Sequence, residues 1–231
     1  TTKSHEICGV EALIRWNHPS LGLLTPNMFI TGAEKTGLII QMGYWALEQA
    51  CKQIQIWERN DTNYFPLAVN LSAVQFEHKH LFSTLERLFD KYQINPNHLA
   101  IEITESTAMH HIDASIRSFE RLRQMGIKLA IDDFGTGHSS FLYLKNLPVD
   151  ELKIDREFIR DLSVGSKDEI ILESIIQLAI KLGLVVTAEG VETPSQADIL
   201  TRLGCQQLQG YLLGMPVNVD RLEKRKYALP I

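Results

Sequence analysis

The chain has 231 residues, 45% of them hydrophobic, enough to bury the core of one large α/β domain without a second unit. A formal charge of −5 argues against grip on a nucleic-acid polymer, which needs a clustered basic surface, so an acidic chain of this kind that handles phosphate needs metal cations. Cys8, Cys51 and Cys205 are odd in number, far apart and outside any C-x-x-C pair, so they suggest neither a disulfide framework nor a zinc site and fit a reduced, cytoplasmic setting.

Short runs rich in Val, Ile and Leu alternate with longer segments of helical periodicity, the pattern of a parallel β/α protein. The first strand is expected over residues 7–15. Thr25-Pro26 then reads as the N-cap and first position of a helix, and a longer helical pattern covers 42–59, with Trp45, Leu47, Ile54, Ile56 and Trp57 among its apolar residues. Strands are expected at 65–71 and 99–104. Gly126 closes a helical pattern ahead of a strand at 128–133, and another strand follows at 151–154. Ile171, Leu172, Ile175, Ile176 and Leu178 mark a helix over 168–182, closed by Gly183 before a strand at 184–189. Thr193-Pro194 opens the next helix, and Gly204 closes it before a strand at 205–209. Each of these glycines suits the left-handed position that follows a helix. Seven strands result, whereas a closed (β/α)8 TIM-like barrel uses eight, so the eighth is expected upstream of Thr1. No linker, charge block or low-complexity stretch divides the chain, and 1–231 reads as one domain. No apolar run approaches the roughly 20 residues that cross a bilayer, and no secretory signal pattern opens the chain, so no membrane contact is expected of this domain.

Polar residues fall in or at the C-terminal ends of these otherwise apolar strands: Glu11, Asn70, Glu102, Asp132 with Asp133, Lys153, Glu189 and Gln209. Each alone has a structural explanation, as a helix cap for Asn70, a loop-amide partner for Asp132 or a salt bridge for Lys153. The carboxyl ends of barrel strands form the rim where active sites are built, so these side chains are expected to converge there. Carboxylates in such number cannot share one low-dielectric pocket as anions unless cations neutralise them. Oxygen ligands without Cys or His select hard ions, so Mg²⁺ or Mn²⁺ is expected, and more than three carboxylates point to two ions, a known device for phosphodiester hydrolysis. Lys153 amid this cluster would orient or deprotonate the water or offset phosphate charge; balancing surplus carboxylates is the alternative.

Taken in order, Glu11-Ala12-Leu13-Ile14-Arg15-Trp16, Asn70-Leu71-Ser72, Glu102-Ile103-Thr104-Glu105-Ser106, Asp132-Asp133-Phe134-Gly135-Thr136-Gly137, Lys153-Ile154-Asp155, Glu189-Gly190-Val191-Glu192 and Gln209-Gly210-Tyr211 resemble the motifs of the EAL family of cyclic-di-GMP phosphodiesterases. The joint match spans nearly the whole chain, whereas the Glu-Ala-Leu triplet alone would carry nothing. The resemblance implies hydrolysis of cyclic-di-GMP to linear pGpG by a water activated between two metal ions. It implies Glu11, Asn70, Glu102, Asp132 and Glu189 as metal ligands, Asp133 as the bridge to the second ion and Lys153 as the aid to the nucleophilic water. Glu105 matches the glutamate that anchors the loop after Asp133, and Glu192 and Gln209 match supporting residues of the catalytic site. Leu13 and Arg15 fall at substrate-binding positions, with a guanidinium fork suited to phosphate. A homodimer whose contact involves the segment after Asp133, and sensor or diguanylate cyclase domains outside this chain, are further implications.

Two departures stand in the segment after the ligands: His138 replaces the family's usual Tyr and Phe141 its usual Leu, which touches loop conformation or dimer contacts more than metal binding. His78, His80, His110 and His111 form no H-E-x-x-H pair and read as solvated positions, and Arg121 and Arg123 as surface charges. Family members that act as dinucleotide receptors have lost metal ligands; this chain retains the full set. A barrel hydrolase for another phosphodiester would share the same fold and metals.

Overall fold

The computed structural model of the chain describes residues 1–2, 6–60, 65–136 and 141–225. Seven parallel strands form one sheet in chain order: β1 (Val10–Ala12), β2 (Leu67–Asn70), β3 (Leu99–Thr104), β4 (Lys128–Phe134), β5 (Glu151–Ile154), β6 (Val185–Ala188) and β7 (Gln207–Leu208). It is the curled sheet of a TIM-like barrel, in which β1 and β7 are the edge strands among the described residues. Thr2 sits against the β7 side, its N–H donating to the Gln206 carbonyl at 3.0 Å and its hydroxyl to that of Cys205 at 2.8 Å. The strand β1 is shorter than expected over 7–15 because Trp16–His18 turns away and pairs antiparallel with Gly22–Leu24 in a separate hairpin.

Five longer helices lie between the strands: α1 (Leu38–Arg59), α2 (Leu81–Tyr92), α3 (Ile112–Gln124), α4 (Lys167–Lys181) and α5 (Pro194–Leu203). In α1 the buried stripe is Leu47, Cys51, Ile54 and Trp57, at steps of three and four residues; Trp45 and Ile56 lie off it and are about half exposed. The α4 stripe likewise runs through Leu172, Ile175, Ile176 and Ala179 and leaves Ile171 outside. These faces meet Leu99, Ile101, Leu129, Leu152 and Val186 of the strands in one continuous core. Thr193 and Gln196 form the reciprocal capping box of α5. Thr25-Pro26, by contrast, opens only a 3₁₀ turn (Pro26–Met28) without a side-chain cap.

Two short helices carry the chain off the rim: Ala73–Phe76 after β2 and Glu105–His110 after β3. The first is locked by Gln75, whose Oε1 accepts the Ser72 N–H at 2.7 Å and whose Nε2 donates to the Ile39 carbonyl at 2.6 Å. That reach requires Gly43 on α1, since a Cβ there would lie 2.0 Å from Gln75 Nε2. A glycine within a helix, ordinarily unfavourable, thereby fixes the turn that follows Asn70.

Candidate active site

Parallel pairing aligns the polar strand ends. Asn70 on β2 faces Glu102 on β3, and Thr104 faces Asp132 on β4. Between β4 and β5 the register passes from Ile131↔Leu152 to Phe134↔Ile154, so β4 spends one residue more than its neighbour. Such a bulge re-aims side chains at a sheet rim. Asp133 takes the strain, with φ at 53°, a left-handed backbone that Asp tolerates better than most residues. The outcome is that consecutive Asp132 and Asp133 both reach the same spot, each offering a carboxylate oxygen within 4.8 Å of one on Glu189.

Lys153 is the centre of the constellation and is almost wholly buried. Its Nζ donates to Glu189 Oε1 at 2.7 Å and Glu102 Oε2 at 2.8 Å, with Glu11 Oε2 and Asp132 Oδ1 both 3.6 Å away. An ammonium has three N–H groups. Two are taken up by Glu102 and Glu189, and the other two carboxylates, at 3.6 Å, lie beyond hydrogen-bonding distance. Glu11 is gripped from both sides, by Asn70 Nδ2 at 2.6 Å on one oxygen and Gln209 Nε2 at 2.7 Å on the other.

One ammonium does not satisfy Glu11, Glu102, Asp132, Asp133 and Glu189. Burial pushes the Glu102 carboxyl from 4.5 up to about 8 against the pull of Lys153, with Glu11 and Asp132 adding to the rise. Burial raises Glu189 to about 7 in the same way, and Asp133 to about 6, where Asp132 and Asp155 also repel its charge. Lys153 moves well above its ordinary value: burial opposes its charge, and Glu102, Glu189, Glu11 and Asp132 outweigh it. Carboxylates crowded until they resist ionisation, with oxygen donors and no sulfur or imidazole among them, suit hard divalent cations.

Glu105 is buried and acts one step out: its Oε2 accepts the Gly135 N–H at 2.9 Å, tying the helix after β3 to the turn after Asp133, while its Oε1 has no hydrogen-bond partner among the described residues. Leu13 and Arg15 line the same cavity of ≈ 2020 Å³ as Glu11, Glu102, Lys153 and Gln209, and Arg15 Nη1 is turned back onto the Ile14 carbonyl at 2.8 Å. The Glu192 side chain is exposed, and its backbone N–H serves the α5 cap through Gln196 at 2.9 Å. His138 and Gly137 lie outside the described residues. Two neighbours escaped the reading from sequence. Asp155, inside a motif already quoted, repels Asp133. Glu151 shares the Lys153 face through the two-residue alternation of a strand, and accepts from the Thr187 hydroxyl, a polar layer beneath the lysine. That alternation was the available signal.

Fold and site together define a class: a TIM-like β/α barrel whose C-terminal rim carries an acidic, lysine-centred pocket of oxygen donors. Within that class the chain belongs to the EAL domain family, whose model matches residues 1–216. It is 50% identical over 214 residues to the bifunctional diguanylate cyclase/cyclic di-GMP phosphodiesterase MucR of Pseudomonas aeruginosa, covering 93% of this chain and 31% of that protein. It is 41% identical over 219 residues to the cyclic di-GMP phosphodiesterase NbdA of the same organism, covering 95% and 28%. The chain therefore spans less than a third of the length of these relatives. Among solved structures, the PaMucR phosphodiesterase in complex with c-di-GMP superposes with a TM-score of 0.90 at 50% identity, over 94% of this chain and 88% of that one. The EAL enzyme Bd1971, bound to cAMP and cyclic-di-GMP, gives 0.91 at 35% identity, over 97% and 62%. No helix among the described residues is long and apolar enough to cross a membrane.

Proposed function

We propose that the chain is a phosphodiesterase that hydrolyses cyclic-di-GMP to linear pGpG and depends on Mg²⁺ or Mn²⁺, two ions in the working site. The observation that carries this reading is the meeting of Glu11, Glu102, Asp132 and Glu189 around Lys153 at the strand ends. With Asn70 and Asp133 these are the residues that would hold the ions. Bound there, such ions supply neutralisation of the phosphoryl oxygens and a water acidic enough to attack near neutral pH. The chain's own groups do the positioning. Asn70 and Gln209 fix both oxygens of Glu11, and Glu105 holds the turn that presents Asp133. Lys153 keeps one N–H for an attacking water or a phosphoryl oxygen. Arg15, released from the Ile14 carbonyl, offers its fork to the second phosphate, with Leu13 beside it. Glu192 supports the site through the α5 cap.

The active form is a homodimer joined through the segment after Asp133, supported by Tyr143, which is 42% exposed on the short helix Phe141–Leu144 while Leu144 is buried. The family match and relatives of which this chain covers less than a third support regulatory domains elsewhere in the full protein, which works in the cytoplasm where the three free thiols are stable. The test is incubation of the purified chain with cyclic-di-GMP and Mg²⁺, with and without chelator, followed by separation of products. The expected result is pGpG formed only with the metal; turnover that survives thorough chelation, or no product with either ion, overturns the reading.

A further inference from the structure

Away from the carboxylate pocket, the two short helices that leave the rim end against each other. Glu77 closes Ala73–Phe76, and His110 and His111 close Glu105–His110. Consecutive residues of a helix point about 100° apart. Here the backbone breaks at His111, with φ −134° and ψ 73°, and the two imidazoles meet with centroids 4.3 Å apart at 68°. Glu77 Oε1 faces them, 3.9 Å from His110 Nδ1, too far for a hydrogen bond. One nitrogen from each ring and one oxygen from Glu77 lie within 4.8 Å of one another, all three residues open to solvent. Nearby His78 is otherwise engaged, its Nδ1 on the Tyr44 hydroxyl.

We propose that Glu77, His110 and His111 form a second metal site, for a zinc-class transition ion, distinct from the hard-cation pocket and bridging the segments after β2 and β3. Two imidazoles and one carboxylate with an open fourth position are the ligand set such ions take, whereas Mg²⁺ prefers oxygen alone. Bonds of about 2.0–2.2 Å to a tetrahedral ion bring ligand atoms to roughly 3.3 Å apart, a contraction that exposed side chains reach by rotation. An ion held there ties the segment that follows Asn70 to the helix headed by Glu105, the residue that holds Gly135. It gives the barrel rim an input from transition-metal supply that needs no other domain.

The test is independent of catalysis. With excess Mg²⁺ present to fill the carboxylate pocket, Zn²⁺ binding is measured by calorimetry and Cu²⁺ is used as a paramagnetic probe. The expected result is a Zn²⁺ equivalent that depends on both histidines and a Cu²⁺ signal split by two nitrogens, since the carboxylate cluster of the rim holds no imidazole among the described residues. In His110→Gln and His111→Gln the affinity falls at least about 10-fold, the loss that disturbing even a ligand's outer partner brings, and in each variant the two-nitrogen splitting is lost; Glu77→Gln weakens binding and keeps both nitrogens. Circular dichroism confirms that these exposed variants fold. Zn²⁺ binding of equal strength in wild type and variants, or a Cu²⁺ signal with one nitrogen or none, overturns the site.

Discussion

Replacing Glu102 by Gln in metal-free protein is expected to stabilise the chain while removing one of the proposed metal ligands. The Gln keeps an oxygen for Lys153 Nζ, now 2.8 Å from Glu102, but removes a carboxyl that burial drives from 4.5 to about 8. At about 1.4 kcal/mol per tenfold change in proton affinity, that displacement has an upper bound of about 5 kcal/mol. Lys153 loses one charged partner in exchange, which leaves a net gain on the order of 2 kcal/mol. For a domain of this size each kcal/mol moves Tm by about 2–4 °C, so the variant should melt some 4–8 °C higher at pH 8. The sign follows from linkage. A folded-state value above the unfolded one gives stability that is complete below pH about 4.5 and lost as pH rises through about 8. The wild type should therefore lose stability across that window, the variant less, and the gap should close near pH 5. Thermal unfolding in chelator at pH 5 and pH 8 measures it, and saturating Mg²⁺ should raise Tm of the wild type alone. A variant that melts below wild type at pH 8, or a gap that ignores pH, refutes the reasoning.

Lys153→Ala should lower kcat by about 10² to 10⁴ while substrate binding stays measurable by calorimetry, and near-normal kcat would remove the lysine from the chemistry. Gly210→Ala places a Cβ 2.2 Å from the Val191 carbonyl oxygen and 2.3 Å from its nitrogen, contacts with backbone that cannot rotate away. Overpacking of this kind costs about 1–3 kcal/mol or more, so a drop in Tm and in turnover is expected, and wild-type values of both would count against the packing described. Glu105→Ala leaves the Gly135 N–H without its carboxylate. Turnover and dimer fraction, read by light scattering across protein concentration, should fall together; a monomer whose turnover is independent of concentration would sink the dimer proposal.

The sheet was legible because its strands are short apolar runs: β3 and β5 begin and end where expected, and Gly126, Gly183 and Gly204, which precede β4, β6 and β7, do adopt left-handed backbones. The rim was legible because Glu102, Asp132 and Lys153 interrupt those runs with charge that an apolar core does not otherwise accept. What stayed hidden depends on register and on partners distant in sequence. The bulge in β4 and the positive φ of Asp133 leave no mark on composition. The amide grip on Glu11 joins residues 59 and 198 positions apart. His110 and His111 read as solvated, which they are, but their meeting with Glu77 needs two chain segments that only the fold brings together.

The hydrogen bond from Gln209 to Glu11 joins the residue after β7 to the middle of β1, the two edge strands among the described residues. It has a kinetic meaning. Strand pairs such as β3 with β4 close short loops, whereas this contact closes nearly the whole length of the chain and must wait for the intervening units. In refolding from denaturant, secondary structure and even most core burial should therefore be regained before the ability to bind metal. During synthesis on the ribosome, a chain not yet extended through Gln209 would carry most of its sheet with Glu11 held from the Asn70 side alone.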